Sequence, residues 1–179
     1  LLDQYVNDRP YVANSFLSVA LSRTLATALS GRSKERQDLA DRPLPLTARV
    51  TPVAAAGGRA VIDALFAPLG YTVAVRAIDE SGARGIYDLT LAGEVRLRDL
   101  LTHLYVLVPV LDDAKHWWIG EDEIDRLLAK GEGWLADHPA RDLLTRRALR
   151  PRRGLARQAR ARPARAPPAA EGAHRGPTP

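Results

Sequence analysis

The sequence of 179 residues contains no cysteine and no methionine, and only 6% of its residues are aromatic. The lack of cysteine excludes a disulfide scaffold, a thiolate zinc site and a cysteine nucleophile. The lack of methionine indicates that Leu1 is not an encoded start, so we expect a fragment or a processed product. The longest apolar run, Leu104–Leu111, has eight residues, whereas a membrane-spanning helix needs about twenty. We therefore expect a soluble, cytoplasmic protein without a membrane partner.

Basic residues are concentrated near the C-terminal end of the sequence. The whole chain carries a net charge of +5, but residues 146–179 hold ten Arg and one acid and so contribute +9. Residues 1–145 therefore carry a charge of −4. We do not expect this mildly acidic body to attract nucleic acid through its net charge. Over the whole chain, 46% of the residues are hydrophobic and 26% are charged, which are ordinary values for a globular protein. The length suits one domain.

Composition divides the chain between residues 150 and 151. Ala, Arg, Pro and Gly make up 24 of the 29 residues in 151–179, so this region cannot bury enough apolar surface to order, and we predict a disordered tail. Two interpretations of the tail stay open. It is either an arginine-rich arm that binds RNA through phosphate charge, or a non-native sequence read from GC-rich DNA in a shifted frame. Residues 1–150 are predicted to form the folded domain.

Helical and extended patterns follow one another within residues 1–150. A helix is predicted over 1–31, with Ser15, Ser18 and Ser22 opposite an apolar face. That face comprises Ala13, Phe16, Leu17, Ala20, Leu21, Thr24 and Ala28. The later predicted elements are a short helix over 33–40, an extended run over 46–53, a helix after Gly57, an antiparallel hairpin over 71–76 and 86–91, a helix from Leu97 that ends near Pro109, and helices over 121–130 and 139–150.

The order β-α-β-β-α in the middle of the chain predicts the fold class. It is typical of an α+β fold with a small antiparallel or mixed sheet, in which a split β-α-β arrangement packs against helices. C-terminal helices and the predicted disordered tail follow this unit.

The densest polar cluster follows the predicted buried helix and comprises Asp112, Asp113, Lys115, His116, Trp117 and Trp118. Two carboxylates and an imidazole can bind a divalent ion or transfer a proton. The alternative is a surface turn in which one Asp caps the helix and both Trp side chains pack on the core. No nucleophile elbow, P-loop or dinucleotide-binding glycine motif follows a predicted strand, so we assign no catalytic residue, cofactor site or metal site to this chain.

A second polar cluster follows the first predicted helix. Arg32, Lys34 and Arg36 carry three positive charges within five residues. Such a cluster can contact phosphate. The alternative is an ordinary solvated loop, which the composition favours.

Five stretches carry a resemblance to a known family: QYVNDRPYVANSFLSVAL at 4–21, GRSKERQDLA at 31–40, FAPLGY at 66–71, VRLRDLLTHLYVLVPVLDDAKHWWIGEDEIDRLL at 95–128, and GEGWLADHP at 131–139. They resemble the N-terminal domain of bacterial 3′-terminal RNA ribose 2′-O-methyltransferases of the HEN family. The resemblance covers residues 1 to about 153. Relative to the family, we expect the chain to be truncated at both ends, with the methyltransferase domain absent.

The resemblance implies a role in RNA repair. The parent enzyme of this family methylates the terminal ribose 2′-oxygen, and its S-adenosylmethionine and divalent metal belong to the absent domain. The N-terminal domain meets the bacterial polynucleotide kinase-phosphatase-ligase and supports its ligase activity. We therefore interpret the chain as a binding module without methyl transfer, which meets RNA indirectly through that complex. Its candidate anchors are Tyr105, Trp117 and Trp118, which we expect the core not to need, because aromatic residues dominate interface energetics.

Two alternatives belong to other classes of protein. One is a metal-dependent enzyme in which Asp112, Asp113 and His116 hold a divalent ion. The other is an RNA-binding protein that acts through the Arg-rich tail, whose affinity would fall steeply with salt.

Overall fold

The computed structural model of the chain describes residues 9–82, 84–113, 129–131 and 133–149. The predicted helix over 121–130 lies outside these residues except for its last two, which are helical. The predicted tail lies outside them entirely. The elements are α1 (Arg9–Thr24), α2 (Ala26–Leu29), α3 (Gln37–Ala40), β1 (Leu44–Ala55), α4 (Gly58–Phe66), a 3-10 turn (Ala67–Leu69), β2 (Thr72–Asp79), β3 (Gly85–Val95), α5 (Leu97–Asp112) and α6 (Arg141–Leu149).

The three strands form one antiparallel sheet in the order β1-β3-β2. Both outer strands pair antiparallel with β3, so β1 and β2 run parallel with β3 between them. This is the split β-α-β arrangement that the sequence predicts, and it confirms the α+β fold class. Alternation fixes the inner face, because Val50, Leu89 and Val75 lie side by side across the strands and contribute to the core.

The core lies between the inner face of the sheet and the helices. Helix α5 is buried along almost its whole length, from Leu100 to Asp112. Ile62, Leu65 and Phe66 of α4 are fully buried in the same cluster, as the helical pattern after Gly57 predicts. Among the described helices, none has the length and hydrophobicity needed to cross a lipid bilayer.

Helix α5 continues through Pro109 to Asp112, so the prediction that it ends near the proline is wrong. Proline lacks the N–H that would donate to the Tyr105 carbonyl one turn earlier. The Ser18 hydroxyl donates to that carbonyl at 3.0 Å. A side chain from α1 thus supplies the hydrogen bond that proline removes, and the helix can extend beyond it.

Helix α1 turns a polar side to the core, so its predicted orientation is also wrong in part. Ser18 is buried, as is Asn14, whereas Phe16 is exposed. The Asn14 amide donates to the Ala54 carbonyl at 2.9 Å and to the Val108 carbonyl at 3.1 Å. Because buried backbone carbonyls need donors, polar residues displace apolar ones at this contact. The chain also leaves the helix at residue 25 and resumes in α2.

The short helix predicted from Ser33 to Ala40 is only partly formed, since α3 begins at Gln37. The Gln37 side chain accepts a hydrogen bond from the N–H of Ser33 at 2.8 Å and donates one to the Gly31 carbonyl at 2.9 Å. These bonds hold residues 31–36 as a loop instead of a helical turn. In contrast, α6 confirms the helix predicted over 139–150.

The pairing of Ser18 with the proline in α5 predicts a coupling between two substitutions. Ser18→Ala should lower the free energy of unfolding by about 1 to 2 kcal/mol, because it removes a buried hydrogen bond. In a Pro109→Ala background, residue 109 regains an N–H that reaches the Tyr105 carbonyl, so the same change should cost about 1 kcal/mol less. Urea unfolding of the four proteins measures this double-mutant cycle. Additive losses would show that the two positions are independent.

Candidate interaction surfaces

Large exposed hydrophobic side chains lie mainly on α1 and directly after it. Phe16 is 65% exposed, Val19 44% and Leu25 40%, and these are three of the five large exposed hydrophobic residues found in the described ranges. We call these three residues the α1 patch. Because Asn14 and Ser18 fix the opposite side of the helix through buried hydrogen bonds, α1 must present the patch outward. Clustered exposed apolar side chains are typical of an interaction site.

A cleft of about 470 Å³ adjoins the α1 patch. Its lining combines apolar residues with two positive charges, from Arg23 and Lys130. The cleft is lined by Val19, Ser22, Arg23, Ala26, Leu29, Tyr105 and Lys130. Protein–protein interfaces commonly combine apolar residues with polar and charged ones.

Tyr105 belongs to the hydrophobic core, so the expectation that the core does not need it is wrong. It lies midway along the buried helix α5 and is 5% exposed, although part of it lines the cleft beside the α1 patch. Helical periodicity could not reveal this, because α5 is buried around its full circumference at this point. Contact of Tyr105 with a partner stays a prediction.

The three predicted phosphate contacts lie in the exposed loop between α2 and α3. Arg36 donates from Nε and Nη2 to the two carboxylate oxygens of Asp38, at 3.1 and 3.0 Å. This pair lowers the pKa of Asp38. Arg32 donates to the Ser30 hydroxyl at 3.0 Å, and Lys34 is exposed. The geometry is that of a solvated loop in which one charge is already balanced, and phosphate contact stays a prediction.

Asp112 and Asp113 occupy different environments at the end of α5. Asp112 is fully buried, and its Oδ1 lies 3.3 Å from Nη1 of Arg84 in the β2–β3 loop. It is therefore no part of a surface turn. Asp113 caps the helix in the left-handed conformation, with φ of 48°, and lies 4.0 Å from Nε of Arg147. A guanidinium thus faces each carboxylate and offers it an opposite charge.

The remainder of the polar cluster lies outside the described residues, namely Lys115, His116, Trp117 and Trp118. The proposed metal site that includes His116 therefore stays a prediction, as do the Trp117 and Trp118 anchors. Within the ranges that the structure describes, no three side chains of Asp, Glu or His are grouped closely enough to hold a metal ion.

A charged triad on the outer face of the sheet was not predicted. Asp88 of β3 accepts hydrogen bonds from Nε and Nη2 of Arg49 on β1, at 2.8 and 2.6 Å, and from Nη2 of Arg76 on β2, at 2.7 Å. Hydrogen bonds from Arg49, which has the larger effect, and from Arg76 hold the pKa of Asp88 well below its ordinary range. The only signal in the sequence is a charged residue at an outward position of each strand, and pairing them requires the strand register.

The histidine in α5, His103, has a structural role. His103 is buried, its Nδ1 lies 2.7 Å from the Tyr71 hydroxyl, and its ring meets Trp134 edge-on at 4.7 Å. Burial, together with a smaller effect of the nearby His138, lowers the pKa of His103 to about 4. His103 is therefore neutral at physiological pH. Its ring nitrogen joins α5 to Tyr71, and its aromatic contact joins α5 to Trp134.

These features define an α+β domain of the split β-α-β type that carries an exposed apolar patch beside a cleft. Residues 1–164 match the family described as the RNA repair, ligase-Pnkp-associating, region of Hen1. The match covers most of the chain, so the chain belongs to this family. The resemblance noted in the sequence is confirmed, and the matched region extends past residue 153 into the Arg- and Ala-rich segment. No curated protein matches the chain.

Proposed function

We propose that this chain docks onto the ligase part of a bacterial polynucleotide kinase-phosphatase-ligase and supports RNA ligation. The observation that carries the proposal is the membership of residues 1–164 in a family described as ligase-associating. The domain also displays the exposed hydrophobic residues of the α1 patch. We assign the α1 patch as the centre of the docking surface.

The build of α1 supports this assignment. Phe16 and Val19 project from a helix whose other side is tied to β1 and α5 by Asn14 and Ser18. A surface that is already ordered loses little conformational entropy on binding, which favours affinity. Arg23 of the cleft can then meet acidic groups of the partner. Such charge pairing would chiefly affect the association rate.

We further propose that the parent protein is the RNA 2′-O-methyltransferase of the HEN family. Its S-adenosylmethionine and divalent metal would then be held by a domain that follows this one, and this chain would contribute docking alone. We propose that the protein acts in the cytoplasm. A chain without cysteine forms no disulfide and so needs no oxidising compartment. On this view the purified chain transfers no methyl group to an RNA 3′ end, which an assay with labelled methyl donor can check.

The docking surface predicts a large effect of one exposed substitution. Phe16→Ser should weaken binding to the kinase-phosphatase-ligase by about thirtyfold, which corresponds to a hot-spot loss of about 2 kcal/mol. Folding should be unaffected because the ring is mostly exposed. Isothermal titration calorimetry of the chain against the intact partner measures the change.

Leu97→Ser is the matched control, since Leu97 is also an exposed hydrophobic residue, at the start of α5. It should leave the affinity unchanged. Equal affinities for both variants would contradict the assignment of the α1 patch. If the wild-type chain shows no association with the intact partner, the proposed function itself is wrong.

A further inference from the structure

The outer face of the sheet carries mostly small and polar side chains among the described residues. Two rungs of residues lie side by side across β1, β3 and β2, and their members are mostly small. These rungs are Arg49–Thr90–Ala74 and Thr47–Ala92–Thr72. The core side chains occupy the opposite face. Arg49 is the one long side chain of these two rungs, and Arg76 lies two residues after Ala74 on the same face.

The arginines of the Arg49–Asp88–Arg76 triad keep donors for a ligand. Their side chains are 61% and 70% exposed, whereas that of Asp88 is 7% exposed. Arg49 directs two of its three nitrogens to the carboxylate, and Arg76 directs one. A guanidinium carries five N–H donors, so several of them face solvent. Asp88 thus lies beneath the two guanidinium groups and orients them.

The triad has a net positive charge at physiological pH. Its two guanidinium groups are always charged, and the low pKa of Asp88 keeps the carboxylate ionised. One negative charge therefore balances only one of the two positive charges. The excess is local, because the body of the chain, residues 1–145, carries a net charge of −4.

We propose that the Arg49–Asp88–Arg76 triad binds phosphate groups of a single-stranded RNA backbone. The planar fork of arginine fits phosphate oxygens, and Asp88 orients both forks before the ligand arrives. Nη2 of each arginine donates to the same oxygen, Oδ2 of Asp88, at 2.6 and 2.7 Å, so the two forks lie side by side. Their remaining donors can hold oxygens of one backbone phosphate or of two adjacent ones, which suits a ligand that repeats its charge along a chain. By comparison, a lone carboxylate of a protein partner would offer the two arginines a single planar acceptor. The family description also names RNA repair.

This proposal does not depend on docking at the α1 patch. The triad lies on the outer face of the sheet, whereas the patch lies on helices that pack against its inner face. Loss of one interaction should therefore leave the other intact. The two proposals can fail separately, because one is measured with RNA alone and the other with the protein partner alone.

The test uses the full chain and a fluorescent ten-nucleotide oligouridylate at low salt. Arg76→Gln should weaken binding about fivefold and lower the slope of log affinity against log salt by about one, because one phosphate contact is lost. Arg49 still pairs with Asp88 in this variant through two bonds, which preserves the sheet. Arg59→Gln is the control, since Arg59 has 61% exposure and an ion pair with Asp63 at 3.2 Å.

Nuclear magnetic resonance identifies the contact directly, because the Nε–Hε signals of Arg49 and Arg76 should shift on addition of RNA while that of Arg59 does not. All variants carry the same Arg-rich tail, so a difference between them reports the triad. Equal affinity and equal salt slope for wild type and Arg76→Gln would overturn the proposal. So would signals that move with a polyglutamate peptide and not with RNA, which would assign the triad to an acidic protein instead.

Discussion

Asn14→Ala is expected to lower the free energy of unfolding by about 3 kcal/mol, a large fraction of the stability of a small domain. The Asn14 amide donates to the carbonyls of Ala54 and Val108, and its oxygen accepts from the N–H of Ala54 at 3.3 Å. All of these groups are buried, so alanine would leave backbone groups of β1 and α5 without these partners. Urea unfolding followed by circular dichroism measures the loss.

Two further variants make the Asn14 prediction specific. Asn14→Asp has nearly the same shape but replaces the amide donor with acceptor oxygens, so it should cost at least as much as alanine. Ser22→Ala is the control, because Ser22 also bonds a carbonyl of α1 but is exposed, and it should cost less than about 0.5 kcal/mol. A loss below about 1 kcal/mol for Asn14→Ala would show that Asn14 does not join the three elements.

The sheet and its topology could be predicted because the relevant information is local. Alternation of Val73 and Val75 with polar neighbours marks β2, and the same period across Tyr87 and Leu89 marks β3. A short polar loop between them leaves a hairpin as the natural connection. The helix after Gly57 then provides the crossover, so the split β-α-β arrangement follows from the order of the elements.

The orientation of α1 could not be predicted because its cause lies about ninety residues away in the sequence. The spacing of Phe16 and Leu21 indicates that both face the core, but of these two only Leu21 is buried. Carbonyls of α5 need donors, one of them because of Pro109, and Asn14 and Ser18 supply these bonds. Hydrophobic periodicity within α1 does not reveal that carbonyls of another helix need hydrogen-bond donors. The same misjudgement concealed the α1 patch, since an exposed Phe16 follows from a polar inner face.

The Arg49–Asp88–Arg76 triad was hidden for a related reason. The three residues are far apart in the sequence and meet only through the strand order β1-β3-β2. Charge counting correctly describes residues 1–145 as acidic, yet a net value averages over faces and conceals a local excess of positive charge. Knowledge of the register is therefore required before this face can be recognised.

Charge counting also groups Arg146 and Arg147 with the basic C-terminal end, and the structure separates them. Arg147 donates from Nη1 to the carbonyls of Val110 and Leu111, at 3.0 and 3.1 Å, and from Nη2 to that of Ala56 at 2.8 Å. Carbonyls in the last turn of a helix have no partner within the helix. Arg147 thus closes the end of α5 and ties it to the segment before α4.

Arg147→Ala should therefore lower the free energy of unfolding by about 3 kcal/mol, because three bonds from a charged donor disappear in a mostly buried setting. Arg147→Lys should recover less than half of the loss, since a single ammonium lacks the fork that reaches both α5 and Ala56. Arg146→Ala, at the exposed neighbouring position, should cost less than about 0.5 kcal/mol. Chemical denaturation of the three variants in parallel checks the order. Equal losses at positions 146 and 147 would mean that the basic residues of α6 act only through their charge.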